Sequence, residues 1–282
     1  MMPDALEHWI GRTEERTDRA TAGIFAELAA TLDHVAPPWQ EGEMPPLGHW
    51  VCFHPLVRQS EIGADGHPAK GAFLPPIALP RRMWAGSRVS FLAPVRIGDR
   101  LRRRMTIADL KQKNGRSGRL AFVTIRHDIA NDSGPVITEM QDLVYREAAN
   151  AEPSGAVGPV SEPNPAWHRL VTPDPVLLFR FSALTFNAHR INYDRPYAQN
   201  VEHYPGLVVH GPLTAMLLMD FFLRAHPSAH VTGFSFRGQR PLTDSGPFTL
   251  SGLANEHGAA LSAIDAEGQL AMSAEVLGLG NT

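Results

Sequence analysis

The chain has 282 residues, 43% of them hydrophobic, and a formal net charge of −3. That length allows one large domain or two ordinary ones with a sizeable core, and the charge excludes a general nucleic-acid or membrane-binding field. The single cysteine, Cys52, excludes an intramolecular disulfide and a cysteine-based metal cluster, and reads as a small buried hydrophobe. No apolar run reaches the length of a membrane span, and the first residues are too acidic and polar for a targeting peptide, so a cytoplasmic location is expected.

Residues 4–33 read as helical, with Asp4 as a cap, Leu6, Trp9 and Ile10 on one face, and a second helix over Arg19–Leu32. The Pro-rich stretch 36–48 predicts an extended surface connection, and Trp50–Leu56 reads either as a strand or as the start of a helix. Residues 63–81, rich in Gly and Pro, predict a long irregular loop, a kind that often carries function. From Met83 the pattern alternates. Met83–Phe91, Leu101–Leu110, Leu120–Ala130 and Val136–Arg146 predict strands, broken at Ile97-Gly98-Asp99, Asn114-Gly115 and Asp132-Ser133-Gly134. The basic run at Arg100 and Arg102–Arg104 fits a solvated face or a phosphate contact. The small, Pro-rich stretch 149–166 predicts a linker.

The second half repeats the plan of the first. A short apolar strand at Phe179–Phe181 leads into a polar stretch, Asn187–Asp194, then a Tyr204-Pro205-Gly206 turn and an apolar helix over Pro212–Arg224. Strands follow at Val231–Arg237, Phe248–Asn255, Ala259–Asp265 and Leu270–Leu277, with Gly-containing turns between them. Each half thus offers an apolar helix and an antiparallel meander, an α+β plan in two copies. The predicted division is residues 1–148, a linker over 149–166, and residues 167–282.

Asn187-Ala-His-Arg-Ile-Asn-Tyr-Asp194, the run Tyr204-Pro-Gly-Leu-Val-Val-His-Gly-Pro212, and Trp84–Phe91 with its Ile97-Gly98-Asp99 turn resemble the MaoC-like dehydratases. Within these they are most similar to the double-hotdog group of hydroxyacyl-thioester dehydratase type 2 and the itaconyl-CoA and mesaconyl-CoA hydratases. The resemblance runs over nearly the whole chain. It implies a double hotdog fold, in which each sheet wraps a central helix, and reversible addition of water to an enoyl thioester. The substrate would be an acyl-CoA or an acyl-carrier thioester, with coenzyme A entering only as part of it. No metal or redox cofactor, nucleic acid or membrane is implied; a homo-oligomer is compatible.

Carried onto this chain, the family's acid position is Asn187 and its histidine position is Asn192, both amides, with His189 between them. An amide can hold water but cannot take its proton at neutral pH. Either His189 is the base, or the site is impaired and the chain only binds thioesters. The Gly211 amide, at the start of the central helix, is the expected donor to the thioester oxygen. Arg190, Tyr193, Asp194, His210, Arg237 and Arg240 are candidate substrate contacts. Arg190 with Asp194 also fits a surface ion pair, Tyr193 fits packing, and His210 fits a satisfied core histidine. A dicarboxylic acyl group would need a cation, with Arg58, Arg81 and Arg82 as candidates. A hotdog thioesterase would use the same pocket. The first half lacks the amide–imidazole cluster, so its irregular region 50–82 is expected to wall the acyl pocket.

Overall fold

The computed structural model describes residues 6–115, 118–147, 167–227 and 229–278. Ten strands form one antiparallel sheet. In the first half they are β1 (Thr13–Arg19), β2 (Arg81–Phe91), β3 (Arg100–Gly115), β4 (Gly118–Asn131) and β5 (Gly134–Arg146). In the second half they are β6 (Trp167–Val171), β7 (Gly233–Gly238), β8 (Phe248–Asn255), β9 (Gly258–Ile264) and β10 (Leu270–Leu277). The sheet order is β1-β3-β4-β5-β2-β7-β10-β9-β8-β6. Counted within its own half, each set of five runs first, third, fourth, fifth, second. The two copies therefore meet through their second strands, as two paired hotdog sheets. The meanders over 81–146 and 233–277 match the sequence expectation closely. The predicted linker, 149–166, lies outside the described residues, as do residues 116–117.

The core explains the long helix α4 (Gly211–Ala225). Leu213 through Leu223 are all buried, so the helix is enclosed on every side. One buried charge lies in that wrapped helix, Asp220. It is matched by His34, Arg169 and Arg224, with Nη1 of Arg169 at 3.1 Å and Nε of Arg224 at 2.9 Å. A buried carboxylate is tolerable only when paired in this way.

Three local expectations need correction. Residues 13–19 are not helical: they form the edge strand β1, in register with β3 from Thr13↔Thr106 to Arg19↔Arg100, and cross-strand pairing overrides local helical propensity. Phe179–Phe181 is not a strand but part of helix α2 (Pro175–Leu184). There Asp174 accepts from the Leu177 amide at 2.8 Å, Pro175 occupies the first turn, and Leu178, Phe181 and Ser182 are buried at helical spacing. Trp50–Leu56 is neither strand nor long helix; Gly48–Val51 is a single 3-10 turn.

By element order, the first half's helix α1 (Ala22–Thr31) corresponds to α2, against which it packs, and not to α4. Where the second half has α4, the first has two single 3-10 turns, Gly48–Val51 and Gln59–Glu61, and irregular chain up to Arg81. A buried polar group holds this region. Glu139, on β5, accepts from Ser87 Oγ at 2.6 Å, contacts His49 Nε2 at 3.0 Å and accepts from Trp50 Nε1 at 3.1 Å. Burial pushes its carboxyl up, but the His49 hydrogen bond and nearby charge outweigh this and hold it at about 2.

The seam between the copies is the β2–β7 pairing, Gly86↔Arg237 to Ser90↔Gly233, next to a bulge between Trp84 and Gly86. A Cβ at Gly86 would lie 2.4 Å from the Phe236 carbonyl oxygen, so only glycine fits. Gly86→Ala is therefore expected to lower unfolding stability by about 1–3 kcal/mol in urea melts. Gly23→Ala, in open space on α1, serves as the control and is expected to leave stability unchanged or raise it.

Candidate active site

The second-half motif begins where α2 stops. Phe186 adopts φ 50, and the Asn187 amide returns to the Ser182 carbonyl at 2.8 Å. Asn187 Nδ2 then donates to Asn192 Oδ1 at 3.0 Å, and Asn192 Nδ2 donates to the Val208 carbonyl at 2.7 Å. The Val208 amide in turn donates to the Ile191 carbonyl at 2.9 Å. These bonds stitch the loop to the segment that enters α4. Asn192 is buried, and both halves of its amide are engaged. It acts as a clamp and offers no proton acceptor to water.

Arg190 and Asp194 also do internal work. The guanidinium donates to Asp194 Oδ2 at 2.9 and 2.7 Å and to the Ala64 carbonyl at 3.0 Å, and lies 4.1 Å from the Tyr197 ring centroid. Asp194 caps α3 (Arg195–Asn200) by accepting from the Tyr197 amide at 3.1 Å. The pair is thus a loop brace, and Tyr193 is exposed.

The residues the sequence reading missed come from the first half. Loop residues 63–67 dock on the motif. The Arg190 amide donates to the Asp65 carbonyl at 2.9 Å, and Gly66, at φ +87, sits so close that a Cβ there would be 1.7 Å from the Ala188 carbonyl oxygen. The docked loop sets the His67 ring 3.9 Å from the His189 ring, centroid to centroid. Asp65 Oδ2 holds His67 Nδ1 at 3.1 Å, and Asp65 Oδ1 accepts from the His67 amide at 3.0 Å. Burial first, and then the neighbouring His67 imidazole, push His189 down to about 2. Burial also lowers His67, against the hydrogen bond from Asp65. Both rings are neutral near pH 7, the form in which an imidazole can accept a proton. The only hint in the sequence was the Asp-Gly-His-Pro run inside the long loop.

Asp65, His67 and His189 present donor atoms within 4.8 Å of one another, so this trio is the group among the described residues that could hold a cation. Its hydrogen bonds are satisfied as a carboxylate–imidazole pair facing a second imidazole.

Gly211 is the first residue of α4, and its amide finds no acceptor among the described residues. A Cβ there would stand 3.7 Å from the Trp84 carbonyl, which places this helix start against β2. A free N–H at a helix start is a ready donor to a developing oxyanion. His210, just before it, is buried. Its Nε2 meets Ser182 Oγ at 2.8 Å, while Nδ1 has no partner, and burial pushes its pKa down to about 3.

The remaining predicted contacts stand at and just after the end of β7. Arg237 projects from β7 on the sheet face opposite Phe236. It lines, with Arg88, Ser262 and Glu275, an open concavity of about 570 Å³ that contains none of the residues 187–211. Arg240 follows β7, its amide bonded to the Ala271 carbonyl. The chain just beyond Arg240 runs along the motif: the Leu242 carbonyl accepts from the Val209 amide at 2.8 Å, and Thr243 bridges Val208. None of residues 65–67, 187–192 or 211 lines that outer concavity.

The depressed histidines have a consequence for stability. Below about pH 6.5 the unfolded chain binds protons that folded His189 and His210 refuse, so stability is complete above that pH and falls as pH drops toward their folded values. Urea midpoints measured between about pH 7 and pH 5 should fall with a slope of about two protons or more, and His210→Gln should remove about one of them.

Comparison with known proteins agrees with this geometry. Residues 46–244 match the family of hydroxyacyl-thioester dehydratase type 2. The chain is 49% identical over 269 residues to mesaconyl-C(4)-CoA hydratase of Chloroflexus aurantiacus, covering 95% of this chain and 96% of that relative. Among solved structures it resembles HtdX of Mycobacterium tuberculosis, at 19% identity and TM-score 0.68 over 95% of this chain and 100% of that one. A second Mycobacterium tuberculosis protein, with a double hotdog fold, aligns at 12% identity and TM-score 0.56, covering 96% of each chain. The chain belongs to the hydroxyacyl-thioester dehydratase type 2 family and has the double hotdog fold.

Proposed function

We propose that this hydro-lyase, which acts on CoA thioesters, takes a short dicarboxylic enoyl-CoA of the mesaconyl kind and uses His189 as its base. The acyl class is supported by the Chloroflexus aurantiacus relative. The observation that carries the choice of base is the buried His189 ring tilted against the Asp65-held His67, beside an Asn192 whose amide accepts from Asn187 and donates to the Val208 carbonyl.

In the hydration direction, a water molecule held near Asn187 and His189 loses a proton to His189 as its oxygen bonds to the β-carbon. The electron pair of the double bond moves toward the thioester carbonyl, where the Gly211 N–H meets the enolate-like oxygen. A proton then reaches the α-carbon, so the net change is the addition of one water. Burial makes a lasting imidazolium at His189 unfavourable, which favours handing that proton on to the α-carbon. The reaction as drawn uses only groups of this chain and needs no cofactor.

The test is a panel of enoyl-CoA esters followed by loss of the conjugated thioester absorbance. His189→Ala is expected to lower kcat by about a hundred- to ten-thousand-fold with KM little changed, and Asn192→His to change kcat little. A large rise in turnover for Asn192→His would move the base to position 192. Release of free thiol without hydroxyacyl product would mean thioester hydrolysis. Activity is expected to survive chelation; loss on chelation and recovery with a divalent ion would make the Asp65, His67 and His189 trio a metal site.

A further inference from the structure

The wall beside the base holds donors without acceptors. Tyr145, on β5, is completely buried; its hydroxyl meets no partner at good hydrogen-bond distance, although the Arg82 guanidinium lies near enough to bear on it, and no acceptor takes its proton among the described residues. Buried hydroxyls are almost always satisfied, so an orphan calls for a partner. Directly opposite it in the β2–β5 register stands Arg82, which puts both side chains on the same face of the sheet. Arg82 makes no ion pair with a carboxylate among the described residues, whereas its neighbour Arg81 is paired with Glu202 at 2.8 Å. Arg58, the third cation considered from sequence, is exposed and paired with Glu61 at 2.5 Å.

Lys70 completes the group. Its ammonium lies 5.5 Å from the Tyr145 ring centroid and donates to the Ile77 and Leu79 carbonyls at 3.0 and 2.6 Å. An ammonium has three donors, so one N–H remains. Lys70 belongs to the same loop as Asp65 and His67. The Arg82 charge contributes to lowering His67, Lys70 and His189, so all three lie within its field. Arg82 also lies two residues before Trp84, whose carbonyl faces Gly211.

We propose that Lys70, Arg82 and Tyr145 form an anion pocket for the free carboxylate of the acyl group, at the end remote from the thioester. The inference rests on the hydratase reading above and names what selects its substrate. Two hydrogen-bonding cations and a phenol match a carboxylate, which accepts several charge-assisted bonds in one plane. A phosphate of coenzyme A shares that chemistry, so the test must separate the two sources.

Saturated esters do this without turnover. Succinyl-CoA and butyryl-CoA share the CoA phosphates and differ in the terminal carboxylate, and their binding can be compared by calorimetry. The native protein is expected to favour succinyl-CoA by about 10- to 100-fold, as expected for hydrogen bonds to a charged group. Arg82→Met and Tyr145→Phe should each erase most of that preference while leaving butyryl-CoA binding within about threefold. Equal weakening of both esters would assign the cations to a CoA phosphate and overturn the proposal, as would a native protein with no preference. Because Tyr145→Phe keeps the buried ring, its result is free of a packing defect. Hydratase activity on uncharged enoyl esters, measured in parallel, reports on the broader reading: its presence without a charge preference would leave the hydratase standing and remove only this pocket.

Discussion

The site depends on one backbone contact, the Gly66 α-carbon laid against the Ala188 carbonyl. A Cβ at residue 66 would be 1.7 Å from that oxygen, and the φ of +87 is one that residues with a side chain rarely adopt. With the Asp65 carbonyl taking the Arg190 amide, this contact sets Asp65 and His67 against His189. His54, also from the first half, reaches the Leu184 carbonyl at 2.9 Å, at the end of α2. Beyond the packing of α1 on α2, the two copies are joined by strand pairing at the β2–β7 seam and by this loop on the motif. The acid–imidazole pair belongs to one half and the second imidazole and helix start to the other.

That division follows from what each half does with the chain between its first two strands. In the second half α4 fills the sheet, eleven consecutive residues deep. In the first half two single 3-10 turns and irregular chain stand there, and Glu139, His49, Trp50 and Ser87 satisfy one another beneath them. Freed from the helix, residues 52–80 can cross to the neighbouring copy and carry Asp65, His67 and Lys70 with them. The loss of a central helix from one copy and the gain of site residues from it are two sides of one change.

The sheet and central helix were legible because burial imposes period-two alternation on strands and an all-round apolar sequence on a wrapped helix. Asn187 to Gly211 was legible as a motif. The errors have local causes. In Thr13–Arg19 the charged strand lies at the sheet edge, so its pattern carries no apolar face to read. In Phe179–Phe181 three residues of apolar alternation were outweighed by the Asp174-Pro175 start four residues earlier. Asp65 and His67 were invisible as site residues because their partner is more than 120 positions away, and no local period records such a contact. Arg237 and Arg240 looked equivalent to the motif residues by sequence; strand parity puts Arg237 on the wrong face.

The amide at position 192 follows from the same geometry. Asn192 must donate to the Val208 carbonyl and accept from Asn187 at once. A neutral imidazole there has one donor and one acceptor nitrogen and would spend both on the same two partners. Held in that arrangement it would have no lone pair left for water, so an imidazole is no better a base at 192 than the amide it replaces. The bonds that fix the loop thus favour a clamping role for Asn192, while the first-half loop supports the His189 ring from the other side.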